Sequence, residues 1–423
     1  MKITTKTLNI ISHSAVILFS IVFSIKFIAL STNGIINGYP FISPDGFDWY
    51  GEGAYLFSSF YQNINFPLQV LRPPIFVLIC AFDYMMGGKG YILGVVYGLN
   101  ILIFYIYMCK LVTLIYAKDS LFISYPLIVL SCTVLPINFI RPYILADEIA
   151  ITLLIASTFY LIKGIKISIK YYGIGALISI VGGLTQTYAM LPLLCIFFMY
   201  LIESLINKNK INKSILTYTI ISVVGYIIFL YAWRISIPHV STPNNFNLLS
   251  IDLKMLGFYA NSWSIYLLPL IIFKIISNNL NIKKELIFEN KGLILTVILF
   301  ITLSFFYHWP ESRFIAYYWP VVLILFLVLV EINKIQLFYL SFIFIFCSLI
   351  APANYWTPTW GAVNYGHNKT WYYNFFNAKP DEREFNNCKN VECINLNKYF
   401  INSDQYVKSS LEIYIKLKNF KSL

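Results

Sequence analysis

Long apolar runs separated by short polar clusters recur along most of the chain. Runs long enough to cross a bilayer, roughly 17–25 residues, fall at about 9–30, 92–115, 121–138, 146–163, 172–187, 189–206, 215–234, 258–277, 293–308, 314–331 and 335–352. They predict an all-α polytopic membrane protein of about eleven spans. The texture changes only near the end, where 353–423 is first rich in aromatics and asparagine and then charged. The expected organisation is a transmembrane domain over 1–352 and a small C-terminal tail over 353–423.

A shorter apolar stretch, Pro73 to Met86, follows Arg72 and contains Asp83. The lysines decide whether it crosses, because one added span inverts every later loop. If it does not cross, Lys2 and Lys6, Lys110 and Lys118, Lys163, Lys166 and Lys170, Lys208, Lys210 and Lys213, Lys274, Lys283, Lys284 and Lys291, and Lys334 all fall on one side. That side is the cytoplasm by the positive-inside bias. Residues 72–88 are therefore expected to form a juxtamembrane helix on the outer side, after a first outer loop over 31–71. The N-terminus is expected inside and the tail outside. The apolar run after Lys6 is too long for a signal peptide and no small-residue cleavage site follows, so it reads as a retained first helix.

Composition agrees with this layout. Of the 423 residues 58% are hydrophobic and 12% charged, too apolar for a soluble globule. The net charge of +12 sits in loop lysines, which argues against nucleic acid as its purpose. Cys388 and Cys393 lie close together in the tail, where an oxidising compartment permits a disulfide. The other five cysteines are scattered in apolar runs and read as packing residues.

Candidate chemistry gathers on the expected outer side. Asp45, Asp48 and Glu52 stand within eight residues of each other beside Trp49 and Tyr50. Arg72 leads the juxtamembrane helix, Arg141 precedes Asp147 and Glu148, and His308 precedes Glu311 and Arg313. Ionisable groups beside a bilayer are costly to desolvate, so such a cluster is a functional-site hypothesis. A first-loop acid suits accepting a proton from a hydroxyl or holding a metal, and guanidinium groups suit a departing phosphate. Glu148 also reads as a first-turn charge complementing its helix. Asp83 reads as a surface carboxylate paired with Lys89, and the Gly182-Gly183 pair as a tight hairpin. No G-x-S-x-G elbow, H-E-x-x-H pair or Walker A loop is present.

The order of these features resembles the GT-C superfamily of polyprenyl-phosphate-sugar-dependent glycosyltransferases, which includes protein O-mannosyltransferases and aminoarabinose transferases of lipid A. The similar stretches are Ser43-Pro44-Asp45-Gly46-Phe47-Asp48-Trp49-Tyr50, Leu71-Arg72-Pro73-Pro74-Ile75-Phe76, Ile144-Leu145-Ala146-Asp147-Glu148, Gly182-Gly183-Leu184-Thr185-Gln186 and Glu311-Ser312-Arg313-Phe314. The resemblance implies a GT-C-like bundle in a bacterial inner membrane. It also implies a catalytic first-loop acid, Asp45 or Asp48, an assisting Asp147, and phosphate or substrate contacts from Arg72, Arg141, His308, Glu311, Arg313 and Tyr50. The implied partners are a polyprenyl-phosphate sugar donor, a lipid-linked or envelope glycan acceptor and the bilayer, with a divalent metal ion as the one candidate cofactor. Two other readings stand beside it: an O-antigen polymerase or ligase, and a lipid-glycan flippase or transporter.

Overall fold

The computed structural model describes residues 10–11, 13–25, 28, 49, 52–53, 56, 72–87, 90–116, 146–208, 210–236, 272–273, 275, 290–305, 315–329, 339–340 and 343. Among the described residues every regular element is helical. In chain order they are α1 (His13–Ile25), α2 (Pro74–Met85), α3 (Tyr91–Tyr116), α4 (Asp147–Lys166) and α5 (Ile169–Thr185). A 3-10 turn (Thr187–Met190) then leads into α6 (Leu191–Ile206), followed by α7 (Lys213–Ser236), α8 (Lys291–Phe305) and α9 (Ile315–Leu329). Tyr91–Ile115, Asp147–Lys166, Thr187–Ile206 and Lys213–Ser236 are long and apolar enough to cross a membrane. This is a helical membrane protein.

The apolar runs anticipate these helices to within a few residues at each end. The 12 residues of α2 make a rod of about 18 Å, short of the ~30 Å hydrocarbon core. Pro74 opens it at a position where a missing N–H costs nothing. Gly87, at φ +102, closes it by donating its N–H to the Tyr84 carbonyl at 3.1 Å, a backbone conformation that glycine adopts without strain.

Close approaches at small residues set the packing. Helices α4 and α5 form an antiparallel hairpin in which Gly164 faces Tyr172 and Gly175 faces Leu161. Antiparallel α1 and α3 meet where Gly94 and Gly98 face Ile28 and Ser24, with Ser20 donating to the Gly98 carbonyl. Such small-residue seams let helix backbones approach in a lipid setting. Asn100 reaches Glu148 and Tyr107 reaches Tyr160, so α3 and α4 run parallel. The span expected at 121–138 lies outside the described residues. Hydroxyls inside these apolar helices turn back on their own carbonyls, as Thr158 does on Leu154 (2.7 Å) and Thr219 on Ile215 (2.9 Å), which satisfies those donors within the helix.

Two sequence expectations change. Asp83 is 1% exposed, not a surface carboxylate. It accepts N–H bonds from Gly90 (3.0 Å) and Ile92 (2.8 Å), so it caps the start of α3. Gly182 and Gly183 belong to the last turn of α5 instead of forming the hairpin, and they make room for Ala189 and Met190 as the chain returns. The reversal itself is made by extended Gln186 and the 3-10 turn.

Candidate functional site

Asp147, Arg72, the 3-10 turn and the end of α7 share one end of the bundle, called here the Asp147 end. At the opposite end Lys291 pairs with Glu203 at 2.9 Å, and Lys163 and Lys166 stand in the last turn of α4.

Asp147 and Glu148 form the first turn of α4, where the unsatisfied N–H groups and the positive end of the helix favour carboxylates. Both are only 7% exposed. The Tyr317 hydroxyl, from α9, donates to Asp147 Oδ1. Its ring is stacked on Phe300 of α8, with centroids 6.0 Å apart, and lies 5.6 Å from Tyr188 of the 3-10 turn. Three elements distant in sequence thus hold one phenol against one carboxylate. The Glu148 carbonyl accepts from Asn100 Nδ2 and from Thr152 Oγ1, each at 3.1 Å, which fixes the backbone of the same turn to α3.

A second assembly surrounds Arg72. Its main-chain N–H donates to both carboxylate oxygens of Glu52, at 3.1 and 2.9 Å, and its carbonyl accepts from Trp233 Nε1 of α7 at 2.9 Å. Its guanidinium lies over the Trp49 ring, 5.4 Å from the centroid, a cation–π contact. Trp49 in turn meets Phe76 of α2 edge-on at 5.3 Å. Gly53 lies flat on α2: a methyl there would stand 2.5 Å from the Ala81 nitrogen and 2.8 Å from the Cys80 carbonyl carbon. The first-loop residues Trp49, Glu52 and Gly53 are therefore packed against the helix that Arg72 leads. Burial, with Asp83 and then Glu52 adding their charge, pushes the Cys80 thiol well above its ordinary range, so it is a packing group and not a nucleophile.

The carboxylate of Glu52 is 2% exposed and acts as an acceptor for backbone. In the Glu52→Gln variant one oxygen is replaced by a donor and the charge is lost. A charge-assisted bond contributes about 1.5–3 kcal/mol, so the Arg72 amide is expected to exchange with deuterium at least about tenfold faster than in wild type. An unchanged rate would show that Glu52 does not hold this backbone.

Of the candidate site residues read from sequence, the structure describes Asp147, Arg72, Glu148, Trp49 and Glu52. Asp45, Asp48, Tyr50, Arg141, His308, Glu311, Arg313, Cys388 and Cys393 lie outside the described residues. Sequence reading missed Tyr317, Trp233 and Asn100. Tyr317 lies four residues beyond Arg313 and Trp233 immediately before Arg234, settings in which an aromatic is ordinary at a membrane interface and so carries no signal by itself. Among the described residues no group of three His, Cys, Asp or Glu side chains is assembled to hold a metal ion. The Asp147–Glu148 pair supplies two carboxylates of the hard-oxygen kind that divalent cations take.

No family model, curated protein or solved structure matches the chain.

Proposed function

We propose that this protein is a glycosyltransferase of a bacterial inner membrane, with about eleven spans in a GT-C-like bundle, its lysine end in the cytoplasm and its Asp147 end outside. It moves a sugar from a polyprenyl-phosphate donor to a lipid-linked glycan or another acceptor of the cell envelope. The observation that carries this reading is the pairing, at one end of an apolar bundle, of an enclosed carboxylate held by a phenol with an arginine whose backbone is held on both sides. A hydroxyl acceptor needs the first kind of group and a lipid phosphate needs the second.

In the proposed reaction the acceptor oxygen attacks the anomeric carbon and the bond from that carbon to the phosphate oxygen breaks. The electron pair leaves with the polyprenyl phosphate, and the acceptor proton passes to a first-loop carboxylate, Asp45 or Asp48. Asp147 orients the acceptor. Arg72, Arg141 and Arg313 meet the charge that develops on the phosphate, the point at which fixed cations lower a barrier most. Trp49 and Glu52 contribute by setting where the first loop meets α2.

The test is transfer of radiolabelled sugar from a panel of polyprenyl-phosphate sugars in membranes carrying wild type, Asp45→Asn, Asp48→Asn or Arg313→Ala. Incorporation that disappears in one aspartate variant at unchanged expression is the expected result and chooses the acid. Full activity in all three variants would remove the proposed site. No transfer from any donor by wild type would remove the transferase reading.

A further inference from the structure

At the lysine end, α3, α4 and α5 bring their cations onto one run of tyrosines. Lys110 Nζ lies 5.1 Å from the Tyr107 ring centroid, and the Tyr107 and Tyr160 hydroxyls are 3.2 Å apart. Tyr160 stacks on Tyr171 at 6.3 Å with the rings 25° from parallel. Tyr171 then receives two ammonium groups, Lys163 at 4.0 Å and Lys170 at 5.3 Å. Lys163 also lies 5.5 Å from the ring of Phe159.

Lys163 and Lys170 share one ring and repel one another, and Lys110 adds a third positive charge along the strip. The segments that carry them, 107–116, 159–166 and 169–172, hold no Asp or Glu, and Glu203 at this end is paired with Lys291. The strip also includes the start of α5, which has no acidic residue in its first turn. The helix dipole is positive there, so Lys170 stands where a cation is disfavoured. An anion would relieve every one of these costs.

The surroundings specify which anion. Lys110 and Lys170 are exposed and Lys163 is half-buried, at the ends of helices whose flanks expose Ile103, Ile106, Ile165 and Ile174. A ligand with a phosphate beside an acyl chain matches cations rimmed by apolar side chains. Tyrosines and lysines at this depth belong to the headgroup layer. The rings hold the lysine side chains in place, which lowers the entropy lost on binding.

We infer that the Tyr107–Tyr160–Tyr171 strip with Lys110, Lys163 and Lys170 is a binding site for the headgroup of an anionic phospholipid. The site is separate from the proposed sugar-transfer site and does not depend on it. Basic clusters between membrane helices take anionic headgroups at about 1 kcal/mol per lysine, which is roughly fivefold each.

The experiment uses the full chain in phosphatidylcholine bilayers with trace spin-labelled phosphatidylglycerol, and the motionally restricted fraction is compared with that of labelled phosphatidylcholine. Wild type is expected to prefer phosphatidylglycerol, and Lys163→Gln/Lys170→Gln to lose that preference by roughly fivefold per lysine at low salt. Lys163→Arg/Lys170→Arg should retain it, and Tyr171→Leu, which keeps all charges, should weaken it. Equal preference in wild type and the double glutamine variant would overturn the site. So would loss of the wild-type preference on adding inorganic phosphate at constant ionic strength, since free phosphate would then be the ligand.

Discussion

Asp147→Asn is expected to lower sugar transfer by about 10²-fold or more, with only a small fall in unfolding temperature from the charge lost at the first turn of α4. The two halves of that expectation have separate physical origins. Asparagine keeps an Oδ1 in the same place, so the Tyr317 hydroxyl that donates to Asp147 retains an acceptor and the contact between α4 and α9 persists. The negative charge is lost, and with it the ability to orient an acceptor hydroxyl or a cation; misplacement of a reactant by about 1 Å is enough for a loss of about 10²-fold. Tyr317→Phe supplies the converse. It removes one donor from a carboxylate that is 7% exposed, which costs about 1–3 kcal/mol of stability, but it leaves the charge. Its transfer rate should therefore fall less than that of Asp147→Asn and its unfolding temperature more. The measurements are initial rates of labelled-sugar transfer and thermal unfolding of purified protein in detergent. Equal activity in wild type and Asp147→Asn would make Asp147 a structural group whose charge complements the start of α4 and whose carboxylate fastens α9.

These partners show what a sequence can and cannot disclose. The ends of α3 through α7 follow from where apolar runs stop, because a bilayer penalises polar residues in proportion to depth. The place of Arg72 before Pro73 and Pro74 was equally legible, since proline at the first turn marks a helix start. Contacts between remote positions were not. Tyr317 meets Asp147 across 170 residues and Trp233 meets Arg72 across 161, and local pattern has no term for such distances. Asp83 illustrates a subtler failure. Its neighbours in sequence suggested a surface charge near Lys89, yet the turn after α2 brings the amides of Gly90 and Ile92 onto it. Helix capping is normally read from the residue immediately before the helix, and here the capping group belongs to the preceding element. Gly182 and Gly183 were legible as special but not as to why. Glycine signals either a turn or a close approach, and the neighbours Ala189 and Met190 that decide for the approach come from the returning chain.

Close approach also governs the largest stability effect expected. At Gly164 in α4, a methyl group would fall on the main-chain nitrogen and Cα of Tyr172 in α5. Backbone cannot swing aside as a side-chain tip can, so Gly164→Ala must force the two helices apart. Overpacking of this kind costs about 1–3 kcal/mol and sometimes more. The effect should spread, because Gly175 relies on the same seam, where a methyl would stand 2.8 Å from the Leu161 nitrogen and 3.1 Å from the Ser157 carbonyl oxygen. Helix propensity alone predicts the opposite sign, since alanine is favoured over glycine in a helix interior by roughly 0.5–1 kcal/mol. Gly225 in α7 isolates that propensity term: a methyl there would meet only Ile180 Cδ1, at 3.9 Å, an ordinary contact. Gly225→Ala should therefore match or exceed wild type in thermal unfolding while Gly164→Ala unfolds at a clearly lower temperature. If both variants moved together, the seam between α4 and α5 would not be the tight contact that lets α4 lie at the centre of the bundle and carry Asp147 and Glu148 at its end.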